Sequence, residues 1–189
     1  MVGNFFLIEM KNKKENIFLC GFMASGKSTI GPILANVLGY GFIDLDKYIL
    51  KIKGKTVRQI FEDERESQFR IYEEEIISEI SKLKNIVVAL GGGSIRSKNI
   101  LSLIKQNGIL IYLKTNPESL SKRLRNKTDR PLILNDKNEK LSPDELLTRI
   151  DELISKRKKY YEMADLEIET DKTPVGKTVD TIIKELKHI

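Results

Sequence analysis

Apolar residues fall into two patterns along the chain. Five short runs are apolar and rich in β-formers: Ile17 to Cys20, Tyr40 to Ile43, Ile86 to Leu90, Ile109 to Leu113 and Leu166 to Ile168. Between them apolar residues recur every three or four positions. Ile30, Ile33, Leu34, Val37 and Leu38 form one such stripe, and Phe69, Tyr72, Ile76, Ile80 and Leu83 another. A third joins Leu146, Leu147, Ile150, Leu153 and Ile154, and Arg157 continues it. That spacing predicts amphipathic helices. Asn116-Pro117, Ser142-Pro143 and Thr173-Pro174 each set a capping residue before a proline at the first helical position. Glu145 completes a capping box with Ser142. Strands alternating with helices predict an α/β domain, with a mostly parallel five-stranded sheet and helices on both faces. Ligands then belong at the carboxyl ends of the strands.

Composition narrows the class. The chain has 189 residues, 40% hydrophobic and 32% charged, which suits one soluble globular domain. No apolar run approaches the roughly 18 residues needed to span a bilayer. Residues 1 to about 15 carry Phe5-Phe6-Leu7-Ile8 before Lys11-Asn12-Lys13-Lys14, the reverse of a secretory signal. They read as a poorly ordered extension, with Met10 as an alternative start, ahead of a single domain over residues 16–189. The one cysteine, Cys20, excludes an intrachain disulfide and favours a reducing compartment, hence a cytoplasmic location. His188 stands in the last turn and is given no catalytic role. The net charge of +6 suits an anionic ligand; the basic residues are dispersed among acids, which argues against a nucleic-acid surface.

The first strand leads into Gly21-Phe22-Met23-Ala24-Ser25-Gly26-Lys27-Ser28-Thr29, which matches G-x-x-x-x-G-K-[ST] between a strand and a helix. Backbone N–H groups of Gly21, Ala24, Ser25, Gly26 and Thr29 suit a phosphate cradle. Lys27 would reach the β- and γ-phosphates, and Ser28 would offer an oxygen to Mg²⁺. Pro32 predicts a bend early in the following helix. Ala24 stands where related loops often have glycine, and a positive φ there would cost about 1 kcal/mol.

The second strand ends in Asp44-Leu45-Asp46. A strand period of two puts both carboxylates on one side, one for Mg²⁺ and one for an acceptor. Arg70 and Glu73 are i,i+3 neighbours. Glu73 borders the apolar stripe and should point inward, orienting an arginine that clamps an anion. Gly91-Gly92-Gly93 follows an apolar strand. It serves as a tight turn, or as bare backbone against a ligand. Residues 126–138 are polar, long and without clear period, as in functional or disordered loops.

The phosphate loop, Asp44-Leu45-Asp46, Phe69-Arg70, Gly91-Gly92-Gly93 and Asp129-Arg130-Pro131-Leu132 stand in the order and spacing of the shikimate kinases. The chain resembles that family over residues 16 to 187. The resemblance implies a three-layer P-loop kinase with a mobile lid over about 126–138. It implies transfer of the γ-phosphoryl of ATP to the 3-hydroxyl of shikimate, with Mg²⁺, in the pathway to chorismate and aromatic amino acids, by a monomer. By the same resemblance, Asp46 engages the acceptor hydroxyl, Asp44 and Ser28 hold Mg²⁺, and Arg130 swings onto the phosphates. Arg123 would stack on adenine opposite Pro174, and Lys172 stands where the family often has arginine. Arg70 and Arg157 would clamp the shikimate carboxylate. Gly91, Gly92 and Gly93 would form a wall of the site, where a Cβ would strike the ring or the turn needs positive φ. Two other readings are a related kinase, such as one for gluconate, and a nucleotide-dependent RNA-binding or regulatory protein.

Overall fold

The computed structural model describes residues 15–127, 130–135, 137 and 139–189. Nearly all of the expected N-terminal extension therefore lies outside the described residues.

The strands are β1 (Asn16–Cys20), β2 (Gly41–Asp44), β3 (Ile86–Ala89), β4 (Gly108–Lys114) and β5 (Leu166–Glu169). They form one all-parallel sheet in the order β2-β3-β1-β4-β5. The helices are α1 (Lys27–Leu38), α2 (Leu45–Lys53), α3 (Val57–Ile80), α4 (Lys98–Asn107), α5 (Pro117–Leu124), α6 (Pro143–Tyr161) and α7 (Val175–Leu186). Ile17 and Leu19 of β1 pack with Ile30 and Leu34 of α1 and Val179 and Ile182 of α7. Phe18 and Cys20 face the other way, onto Phe69 and Ile76 of α3 and Ile104 of α4. Both faces are covered, which is why the central strands read as unbroken apolar runs rather than alternating ones. A smaller cluster of Phe22, Leu120, Leu124, Ile133, Leu146 and Ile150 joins the loop after β1 to α5 and α6. After β2 the chain returns beside β1 as β3, then crosses to β1's other side as β4. The order reverses at β1, and a crevice opens at the carboxyl ends there.

Several expectations need correction. In α1, Ile30 and Leu34 are buried, but Ile33 and Val37 are exposed; the buried face is rotated toward Gly31 and Ala35, with Gly31 close against the Phe42 ring. Pro32 lies inside this helix, which continues to Leu38. Leu83 lies beyond the end of α3 and is exposed. Asn116 and Ser142 cap their helices as expected, the latter with its Glu145 box. Thr173 does not: the cap residue of α7 is Pro174, with no side-chain bond, and the Thr173 hydroxyl pairs with Thr178. The stretch 130–135 is not structureless. Pro131–Ile133 form one 3₁₀ turn, Leu134 bridges to Lys140, and Ile133 and Leu134 are buried. Thr128, Asp129, Asp136 and Asn138 of the expected lid lie outside the described residues.

Candidate active site

The chain turns into α1 through a loop held by its own backbone. Ser25 N–H donates to the Phe22 carbonyl at 3.1 Å, and Gly26 carries φ 105° at the helix start. Gly21 has φ 144°, and a Cβ there would lie 2.6 Å from the Leu113 carbonyl oxygen. Ala24 adopts φ 63°, so the left-handed conformation expected at this position is present without glycine. Lys27 folds back to donate to the Gly21 and Phe22 carbonyls, each at 2.9 Å. Burial pushes its pKa down to about 8, against the opposing pull of Asp46.

Ser28 donates from Oγ to Asp44 Oδ2 at 2.6 Å. The strand period does not place Asp44 and Asp46 together, because β2 stops at Asp44. Asp44 caps α2, accepting from Lys47 N–H at 3.2 Å, and Asp46 sits in the first turn of that helix. Both still border the cavity, since a helix entered at a strand end aims its first turn at the crevice. Arg130 donates from Nη1 to Asp46 Oδ2 at 2.8 Å.

These groups share one cavity of about 350 Å³ with Arg70, Arg157 and the glycine run. Glu73, on the buried face of α3, has no exposed surface. It accepts from Arg70 Nη1 at 2.5 Å and, through its other oxygen, from Ser94 Oγ. Burial raises its pKa, opposed by Arg70 and the Ser94 bond. Arg70 also donates to Glu66 Oε1, from Nη2 at 2.6 Å and Nε at 3.2 Å. Arg157 is 3% exposed and has no carboxylate partner among the described residues. It donates to the Gly92 carbonyl at 2.9 Å and lies 5.5 Å from the Phe22 ring. Tyr161 donates to the same carbonyl at 3.1 Å and stacks on Tyr112.

None of Gly91, Gly92 and Gly93 has a positive φ, so the turn does not require glycine by its dihedrals. Space does. A Cβ on Gly91 would collide with Glu73 and approach Ser94 Oγ at 2.9 Å and Asp46 Oδ1 at 3.2 Å. One on Gly93 would meet Arg70 Nη2 at 2.8 Å, and one on Gly92 would meet Arg157 Nη1 at 3.3 Å. The glycines make room for the side chains of Glu73, Arg70 and Arg157.

The cavity therefore gathers Ala24, Gly26, Lys27, Ser28 and Thr29 with Asp44, Asp46 and Arg70. Arg123 and Arg130 border it too, and Arg123 is braced on the Ala24 carbonyl at 3.0 Å. Gly21 and Ser25, in the same loop, are buried and stand outside the cavity lining. Ser25 is fully buried, and its Oγ has no hydrogen-bond partner among the described residues. Lys172 and Pro174 are exposed and stand outside the cavity lining, and Lys172 pairs with Glu169 at 2.7 Å. Sequence reasoning missed Ser94, Tyr161 and Glu66. Glu66 stood four residues before Arg70 and Tyr161 four after Arg157, both readable helical spacings; Ser94 carried no local signal.

Among the described residues no group of three or more His, Cys, Asp or Glu could hold a metal. The Ser28–Asp44 pair still fits Mg²⁺, which takes one or two protein oxygens and completes its shell with phosphates and water.

The family model for shikimate kinase matches residues 23–187. The shikimate kinase of Chlorobium limicola is 46% identical over 170 residues, spanning 90% of this chain and 85% of the relative. That of Chlorobium chlorochromatii is 43% identical over 95% of this chain and 94% of its own. Among solved structures, shikimate kinase from Acinetobacter baumannii in complex with shikimate superposes with a TM-score of 0.83 at 32% identity, covering 92% of this chain and 93% of that one. A gluconokinase from Sinorhizobium meliloti reaches 0.56 at 17% identity, covering 93% of each chain, a likeness of fold alone.

Proposed function

The chain belongs to the shikimate kinase family, and from that premise we propose how its residues divide the work. The reaction moves the γ-phosphoryl of ATP to the 3-hydroxyl of shikimate, giving shikimate 3-phosphate and ADP. The acceptor O–H bond breaks and its proton passes to Asp46; an O–P bond forms, and the bond from phosphorus to the ADP oxygen breaks. Lys27 neutralises charge on the β- and γ-phosphates. Arg130, resting on Asp46 in this structure, transfers to the phosphoryl group as the lid closes, where charge spreads in the transition state. Arg123 supports the adenine. Ser28 and Asp44 would hold Mg²⁺, which supplies positive charge to the phosphate oxygens. Arg70, oriented by Glu73, and Arg157 grip the acceptor carboxylate, a planar anion that two guanidinium groups match well. Lys172 and Pro174, outside the cavity lining, have no assigned contact.

The observation that supports this reading most is the convergence of Lys27, Asp46, Arg70 and Arg157 on one cavity. The protein acts as a monomer without nucleic acid, and in the cytoplasm, where its one thiol, Cys20, stays reduced. No helix among the described residues is long and apolar enough to cross a membrane. Coupled ADP release tests the reading. Shikimate should stimulate turnover strongly and gluconate should not; the reverse result would overturn it.

A further inference from the structure

The acceptor clamp holds more negative charge than its proposed job requires. Arg70 already meets two carboxylates, Glu73 at 2.5 Å and Glu66 at 2.6 Å. An acceptor carboxylate would make a third around the same guanidinium, with Arg157 as the second cation of the proposed clamp. The two clamp cations then face three anions in a partly dehydrated site, which favours release of one anion. Burial decides which. The Glu73 side chain has no exposed surface and is held by Ser94 as well as Arg70, whereas that of Glu66 is 41% exposed. Only Glu66 can exchange Arg70 for water.

The surroundings give it a destination. Glu66 and Arg70 also line a second cleft, on the far side of Gly93 and Ser94, which Arg96 borders. Arg96 is exposed and makes no ion pair among the described residues. The backbone is poised as well. Arg65 interrupts α3 at φ 72° and ψ 163°, a region that side chains other than glycine's disfavour. Glu66 is the first residue beyond that break.

We propose that Glu66 is a displaceable counter-ion of the acceptor clamp, holding Arg70 in the free protein and yielding it to the carboxylate of the acceptor. Glu66 thus opposes binding and sets acceptor affinity. This rests on the reading of Arg70 and Arg157 as the carboxylate clamp. Its mark is a gain on substitution, where a residue that merely supports Arg70 would give a loss.

The test compares the whole protein with Glu66→Gln, Glu66→Ala and Arg70→Ala. Steady-state kinetics are measured at saturating MgATP, and shikimate binding without nucleotide by calorimetry. Both Glu66 variants should lower the KM and Kd for shikimate about three- to tenfold, while the KM for ATP stays within about twofold. Arg70→Ala should raise the KM for shikimate at least tenfold. A raised or unchanged shikimate KM in both Glu66 variants, with Arg70→Ala behaving as expected, overturns the counter-ion and makes Glu66 a positioning residue. An unchanged KM in Arg70→Ala overturns the clamp itself, and the proposal with it.

Discussion

The two ends of the cavity are built on different principles. The end proposed for the nucleotide is built mainly on one nine-residue stretch, Gly21 to Thr29, whose surface is largely backbone. Even its charged group, Lys27, is held in the free protein by two carbonyls. The end proposed for the acceptor draws side chains from α2, α3 and α6, and most of its charges are held by other side chains: Asp46 by Arg130, and Arg70 by Glu66 and Glu73. A backbone cradle is ready before its ligand arrives. A network of side-chain pairs must be partly undone to receive one. Substitutions at the first end should therefore act locally, and those at the second should redistribute partners.

Asp46→Asn tests this contrast most severely. The variant should fold and bind MgATP, yet lose about 10² to 10⁴ in kcat, because an amide cannot accept the hydroxyl proton. Asp44→Asn, beside Ser28, should mainly raise the Mg²⁺ requirement. Magnesium titrations at saturating ATP and shikimate check the pair. Rescue of Asp46→Asn but not of Asp44→Asn by excess Mg²⁺ would exchange their roles.

Arg130→Ala should follow, with kcat down about 10² to 10³ and ATP affinity little changed, since its charge acts on the transition state. Turnover held constant with a raised ATP KM would instead make it a ground-state contact.

The third effect belongs to the cradle and is titratable. Lys27 has its pKa depressed to about 8 by burial, and bound phosphates restore it. The free protein loses that proton above pH 8, so binding must take one up. MgATP affinity should fall about tenfold between pH 7 and pH 9, with uptake of about half a proton at pH 8. Calorimetry in buffers of different ionisation enthalpy measures the uptake; none at pH 8 would mean that Lys27 binds with its proton already fixed. The same depression affects folding. Between about pH 8 and 10.5 the unfolded chain binds more protons at Lys27, so this residue's contribution to stability improves as pH rises through that window.

The smallest effect concerns strain. Each end holds one non-glycine residue at positive φ, Ala24 in the loop and Arg65 in the break of α3. Arg65→Gly should stabilise by about 1 kcal/mol, the relieved strain exceeding the added entropy of the unfolded chain. Thermal unfolding should show about 2 to 4 °C. Ala24→Gly should gain less, because its left-handed region is tolerated better than the one Arg65 occupies. A loss at Arg65 would mean that its side chain anchors the break.

The same contrast explains what could be read from sequence. Strands were legible to within one residue because a sheet covered on both faces writes itself as apolar runs. The phosphate loop was legible because its chemistry is contiguous. The acceptor end was legible in its members and not in its geometry. Asp44 and Asp46 were recognised, but not the helix that begins between them, since Asp44 reads equally as a strand end and as a cap. Glu73 was seen to point inward; its bond to Ser94, 21 residues further on, follows from the return of β3 beside β1 and leaves no local trace. Lys172 and Pro174 were placed by analogy, and an ion pair with Glu169 occupies the first.

The crowding above the glycine run carries an evolutionary consequence. A Cβ at Gly91 would collide with the buried Glu73 carboxylate, and one at Gly93 would press on the Arg70 guanidinium, before any ligand enters. The run is therefore tied to the clamp rather than to the molecule being clamped. A descendant that drifted to a different carboxylate-bearing acceptor, while keeping Arg70 and Glu73, would be obliged to keep the glycines as well. One that abandoned the clamp would be free to lose them. On the proposed roles, glycine at 91 and 93 is thus a fossil of how the anion is held, and a poor guide to which anion it is.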